Sequence, residues 1–99
     1  MMIYREGDSV EFAIPIEDAM GAAEDPLQLG ASVDATAHGL DGQDDVAGTV
    51  TVAASGAVGY FAPGILAPGR WMIEATATIP GARIERLSNS FRVTVAKAL

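Results

Sequence analysis

Apolar and polar residues alternate along several short segments of the chain. Residues 70–79 show this most clearly, because one side of the segment is apolar and the other is mainly polar. The apolar side carries Trp71, Ile73, Ala75, Ala77 and Ile79. The other side carries Met72, Glu74, Thr76 and Thr78. Residues 9–16 alternate in the same way, with Val10, Phe12, Ile14 and Ile16 on one side. A period of two residues predicts half-buried β-strands for both segments.

Weaker alternation and turn residues predict the remaining elements. Further strands are expected over residues 31–37, 46–54, 57–61, 82–87 and 90–95. The last two would be joined through a bulge at Ser88 and Asn89. Residues 17–30 contain Gly21 and Pro26 and do not alternate, so they predict a loop with at most one short helix. Pro15 cannot donate a ladder hydrogen bond and places the first predicted strand at a sheet edge, or ends it.

The spacing of these elements predicts one all-β domain over residues 1–99. About seven short strands, separated by turn signals roughly every 8–12 residues, are typical of an immunoglobulin-like antiparallel β-sandwich. The cysteine pair of antibody domains is missing, because the chain contains no cysteine. Disulfides, zinc–thiolate sites and thiol nucleophiles are therefore excluded.

The core is expected to be built from small side chains and a few aromatic anchors. Aromatic residues make up only 6% of the chain, and alanine and valine supply much of its apolar content. We therefore expect Phe61 and Trp71 in the core, each stabilising the fold by about 1.5–3 kcal/mol. The alternatives are an exposed sugar-binding platform, shared with Tyr60, or an interface with a partner.

The charge is acidic and unevenly distributed. The net charge is −7, which argues against nucleic acid as a partner. Residues 1–45 hold eleven acidic side chains and one basic side chain, whereas residues 46–99 hold two acidic and five basic ones. Either strands from both halves interleave and the charges neutralise locally, or the molecule has an acidic and a basic face suited to assembly.

Nothing in the sequence predicts a catalytic, cofactor or metal site. His38 is the single histidine, and we expect it to be an exposed residue at a strand end. Asp41, Asp44 and Asp45 do not have the spacing of an EF-hand, so a solvated turn is favoured over a loose calcium site. Glu74 and Glu85 could face each other across the predicted hairpin, but arginine neighbours such as Arg83 and Arg86 are the better partners.

The sequence also gives no reason to expect a targeting segment. The N-terminal residues become acidic at once and form no apolar signal segment. No apolar run approaches the roughly 18 residues that a membrane-spanning helix needs. We therefore expect no membrane location. Because no catalytic motif is present either, we expect no enzymatic role.

Two segments together resemble a known family. Residues 4–21 (YREGDSVEFAIPIEDAMG) combine a Gly-Asp turn, an alternating strand and an acidic connection. Residues 66–95 (LAPGRWMIEATATIPGARIERLSNSFRVTV) combine an L-x-P-G-x-W strand opening, a glycine-centred hairpin and a closing S-x-x-F-x-V strand. This layout resembles small immunoglobulin-like structural proteins of tailed bacteriophages and prophages, including N-terminal domains of baseplate proteins. Residues 17–45 depart from it.

The resemblance implies a non-catalytic virion component made in the host bacterial cytoplasm. It would act as a head decoration, fibre-base, neck or tail protein, in contact with other virion proteins and with copies of itself. The residues expected at such an interface are Tyr60, Phe61, Pro63, Ile65, Leu66 and Arg70. The alternative function is a β-sandwich module that binds carbohydrate or a host surface, which predicts an exposed aromatic side chain.

Overall fold

The computed structural model describes residues 2–18, 20–81 and 85–97, without the side chains of residues 2 and 85–87. Within these residues the secondary structure is entirely β. The strands are β1 (Met2–Arg5), β2 (Val10–Ile14), β3 (Ser32–Gly39), β4 (Val46–Ala47), β5 (Thr49–Ala53), β6 (Gly56–Phe61), β7 (Gly69–Ile79) and β8 (Glu85–Ala96). The described part of the chain holds no helix with the length and apolarity to cross a membrane.

The strands form two sheets that pack in a sandwich-like arrangement. One sheet has five strands in the order β1-β8-β7-β3-β4, and the other has three in the order β2-β6-β5. All pairs are antiparallel except β1 with β8, which is parallel. Strands β1 and β3 come from the acidic half of the sequence, and they pair with β8 and β7 from the basic half. The strands of the two halves therefore interleave, as the first of the two alternatives for the charge distribution expected.

The core lies between the sheets and follows the predicted alternation. In β7 the buried residues are Trp71, Ile73, Ala75 and Ala77. In β2 they are Val10, Phe12 and Ile14. Phe61 and Trp71 are each 1% exposed, which confirms their predicted place in the core. The Phe61 ring packs against Phe12 with centroids 5.6 Å apart, and the indole Nε1 of Trp71 donates to the Ala67 carbonyl at 2.9 Å.

The strand predicted over residues 46–54 is in fact two strands in different sheets. β4 pairs with β3 in the larger sheet, whereas β5 pairs with β6 in the smaller one. The chain changes sheet at Gly48, whose amide still donates to Ala35 of β3 at 3.0 Å. A Cβ at this position would lie 2.9 Å from the Phe61 ring. The crossing therefore depends on a residue without a side chain.

The C-terminal strands also differ from prediction. β8 is one continuous strand, and its register with β7 runs unbroken from Gly69↔Val95 to Ile79↔Glu85. The predicted bulge at Ser88 and Asn89 was therefore wrong. The four-residue strand β1 was not predicted. It is the edge strand of the larger sheet, and the Gly7-Asp8 turn that follows it was predicted correctly.

The connection between β2 and β3 contains no helix among its described residues, although the Leu29 amide donates to the Asp25 carbonyl at 3.1 Å in a single turn. It opens with a small hairpin-like loop, in which Glu17 and Ala23 form an isolated antiparallel bridge. β2 is an edge strand that ends at Ile14, which agrees with the breaking role expected of Pro15.

Candidate functional site

Two of the six residues predicted at an interface are buried in this fold. The set comprises Tyr60, Phe61, Pro63, Ile65, Leu66 and Arg70. Phe61 and Leu66 are buried, so neither can form part of an exposed surface in this fold. Tyr60 and Ile65 are each 45% exposed, and Pro63 and Arg70 are also exposed.

Arg70 is engaged with the loop that follows β3. Its guanidinium donates to Asp41 through Nη2 at 2.7 Å and through Nε at 3.1 Å, and its backbone amide donates to the same carboxylate at 2.8 Å. These hydrogen bonds hold the pKa of Asp41 below its usual value. The Gln43 side-chain amide donates to the Arg70 carbonyl at 3.3 Å. Asp41 therefore holds this loop against β7.

His38 lies between two carboxylates on the outer face of the larger sheet. Its Nδ1 is 3.2 Å from Asp45 and its Nε2 is 3.3 Å from Glu74. The imidazole is half-buried rather than exposed as predicted, although it does lie near the end of β3. A doubly protonated ring could donate to both carboxylates. Across the described residues, no group of three or more His, Asp or Glu side chains is arranged to hold a metal ion.

Glu74 and Glu85 do not face each other. The β7–β8 register places Ser90 opposite Glu74 and Ile79 opposite Glu85. Arg83 and the side chain of Arg86, which were the predicted partners of these glutamates, lie outside the described residues.

The outer face of the smaller sheet carries the exposed aromatic side chain Tyr60. Val58, on the same face of β6, is also exposed. A shallow depression of about 560 Å³ runs over this face, and its polar lining includes Glu11, Thr49 and Thr51. A shallow, open depression of this kind can contact a protein surface or a sugar ring.

The connection between β2 and β3 presents apolar side chains that the sequence analysis did not assign to a site. Met20 is 90% exposed, and Leu27 and Leu29 are also exposed. The segment is ordered by its own carboxylates. Asp18 accepts hydrogen bonds from the amides of Met20 and Ala22 at 2.8 and 3.0 Å. We name residues 17–30 the presenting loop.

The presenting loop is anchored on both sides. Ile16 is fully buried before the hairpin-like turn, and Pro26 is buried after it. Asp25 accepts a hydrogen bond from the Gln28 amide at 3.0 Å, which shapes the turn that follows Pro26. In the sequence, this surface is indicated only by apolar residues that lie among acidic turn formers. The segment shows neither strand nor helix periodicity.

Comparison of the chain with models of known protein families, with characterised proteins and with solved structures finds no match.

Proposed function

We propose that the chain is a non-catalytic structural component of a phage virion, acting through contacts with other virion proteins and with copies of itself. The observation that carries this proposal is the presenting loop. In this loop the side chains of Met20, Leu27 and Leu29 are exposed to solvent. Hydrogen bonds between carboxylates and backbone amides fix the backbone that carries them. Exposed apolar side chains on an ordered scaffold favour protein contact, because little conformational entropy remains to be lost on binding.

The strand order supports an immunoglobulin-like topology as part of the same proposal. In that fold, one sheet contains the second, fifth and fourth strands and the other contains the third, sixth and seventh. If β2 is taken as the second strand and the two-residue β4 is left out of the count, the order β2-β6-β5 matches the first group and β3-β7-β8 matches the second. β1 pairs with β8 instead of joining the β2 sheet.

The charges of the presenting loop indicate the kind of surface it would meet. Glu17, Asp18, Glu24 and Asp25 flank its apolar side chains. Asp18 and Asp25 are partly used in backbone hydrogen bonds. A partner with an apolar recess and basic residues around it complements this surface, and the opposite charges would favour the correct encounter.

The native mass of the protein across a concentration series tests the proposal. Light scattering after size exclusion is expected to give a defined oligomer or a growing polymer, and the protein is expected to co-purify with phage particles from induced cultures. Met20→Ser should weaken either association while leaving the thermal midpoint within about 2 °C, because this side chain is already in water.

Leu40→Ser is the matched control. Leu40 is 38% exposed and follows β3, at the opposite end of that strand from the presenting loop. This exchange should leave association unchanged. A protein that is monomeric at every concentration and absent from purified particles would overturn the proposal.

A carbohydrate-binding module is the second candidate, and Tyr60 is the observation that favours it. Its ring is 45% exposed, beside the hydroxyl and carboxylate groups of the depression on the same face. Phe61 and Trp71 are buried, so a three-ring platform is not formed. Glycan-array binding that disappears in Tyr60→Ala would support this function, and an array without signal would remove it.

A further inference from the structure

Two unpaired strand edges face each other along one side of the sandwich. Among the residues that the structure describes, β2 pairs with β6 alone, and β1 covers β8 only from Val93 to Ala96. A groove of about 700 Å³ lies between these edges, and residues 11–15 and 89–92 line it. We name it the open groove.

Backbone groups of β2 point into the open groove. The Tyr4 hydroxyl donates to the Glu11 carbonyl at 3.3 Å, and the Asn89 side chain donates to the Pro15 carbonyl at 3.1 Å. Both carbonyls therefore point away from β6. Because alternate residues of an edge strand direct their backbone groups to the same side, the amide and carbonyl of Ala13 point the same way. This edge can pair with a strand.

The side-chain amide of Asn89 lies at one end of the open groove. Like a peptide group, it donates one hydrogen bond and accepts another. Its Nδ2 donates to Pro15 of β2, while its Oδ1 accepts the backbone amide of Ser90 in β8 at 2.9 Å. One amide thus spans the two edges with two hydrogen bonds. At this end the gap is therefore filled by one side-chain amide, and along the rest of the open groove the peptide groups of one inserted strand could take its place.

The floor and rims of the open groove indicate which side chains such a strand would carry. Phe12 and Phe91 form an apolar floor, with ring centroids 6.4 Å apart. Glu11 lies on the β2 rim and Arg92 on the β8 rim. Apolar side chains would face the floor. A basic residue would complement Glu11 and an acidic residue would complement Arg92.

We propose that the open groove binds an extended segment of a partner protein by strand addition. The segment has alternating apolar side chains, a basic residue beside Glu11 and an acidic residue beside Arg92. A folded second copy is a poor occupant. Each strand of the described chain already pairs along at least one edge, whereas the occupant must offer one edge to β2 and the other to β8. The proposal does not depend on a virion location.

The test uses a synthetic seven-residue peptide with valine at alternate positions, lysine near one end and glutamate near the other. It is titrated to millimolar concentration into the ¹⁵N-labelled full chain. Binding should shift the amide signals of Ala13 and Arg92 and slow their hydrogen exchange. The control peptide has the same sequence with every second backbone nitrogen methylated, and it should not bind.

Two exchanges in the protein separate strand addition from other modes of binding. Ala13→Pro removes the amide that points into the open groove, and an edge strand tolerates proline. It should weaken binding about tenfold, whereas Ala13→Ser, which keeps the amide, should change the affinity by less than about threefold. Asn89→Ala frees both edges at that end, so it should tighten binding even though it lowers stability.

Three outcomes would overturn the proposal. The first is no shift at millimolar peptide, either in trans or with the peptide fused ahead of Met1 to raise its local concentration. The second is binding that Ala13→Pro and N-methylation leave unchanged. The third is protection of the Ala13 amide that grows with protein concentration and without peptide, because the occupant would then be a second copy.

Discussion

The crossing between the two sheets at Gly48 can be tested quantitatively. Gly48→Ala would place a methyl group 2.9 Å from Cε1 and Cζ of Phe61. That ring is 1% exposed and is held by Phe12 on another side, so it cannot move away freely. We expect a loss of about 1–3 kcal/mol, the usual cost of an overpacked core.

A double-mutant cycle with Phe61→Leu isolates this contact. Leucine lacks the ring atoms that the new methyl group would meet. Phe61→Leu alone should cost about 1–2 kcal/mol, between a volume-conserving exchange and truncation to alanine. The double mutant should then be more stable than the sum of the single effects by about 1–2 kcal/mol.

Urea unfolding followed by fluorescence is the assay, because Trp71 is the single tryptophan and is buried. Gly42→Ala is the control. Gly42 has a φ of 91°, and a methyl group added there would meet no atom within 4 Å, so the exchange should lose about 1 kcal/mol through backbone strain alone. Its effect should add to that of Phe61→Leu within about 0.5 kcal/mol. If the effects of Gly48→Ala and Phe61→Leu also added within about 0.5 kcal/mol, the close approach of Gly48 to the ring would be refuted.

Two further predictions concern side chains whose pKa is shifted. Hydrogen bonds from Arg70 lower the pKa of Asp41 below 3.8, so the stability that Asp41 contributes is present above its unfolded pKa and is lost as the pH falls through the lower folded value. The unfolding midpoints of the wild type and Asp41→Asn should therefore differ near neutral pH and converge in strong acid, and high salt should reduce the difference. Burial, and then the carboxylate of Glu11, raise the pKa of Tyr4 above 10.0, so its contribution is present below the unfolded pKa and is lost as the pH rises through the folded value. Tyr4→Phe should remove the late component of the ultraviolet titration and cost about 0.5–1 kcal/mol at neutral pH through the lost hydrogen bond to Glu11.

The alternation of residues predicted which side of a strand faces the core, but not which strand lies beside it. The buried positions of β2 and β7 were readable because a period of two residues is local information. The parallel pairing of Met2 with Val93 joins opposite ends of the chain, and no local pattern specifies it. The sheet change at Gly48 was hidden for the same reason, since the ring that requires a glycine there belongs to Phe61, thirteen residues further along the chain.

Two residues of the predicted interface, Phe61 and Leu66, are buried, and the alternation that predicted the strands already indicated this for Phe61. Neighbouring residues of a strand point to opposite faces, so Tyr60 and Phe61 could not both be exposed. Once Phe61 was expected in the core, Tyr60 was the member of the pair to place on the surface. Met20 escaped prediction because its exposure depends on the fold of the presenting loop, which carries no periodic signal.

Asn89 is a polar residue within a strand, and its place in the ladder was predicted wrongly. A bulge was predicted at Ser88 and Asn89, between two strand segments. The ladder is in fact continuous, with Asn89 opposite the buried Ala75. An inward-facing amide is tolerable there because both edges beside it have unpaired backbone groups, and it satisfies one on each. If a strand paired with both edges at that point, the same amide would be left without partners, at a cost of about 1–3 kcal/mol. A polar residue at an inward position of a long strand is therefore better read as a sign of an open sheet edge than as a break in the strand.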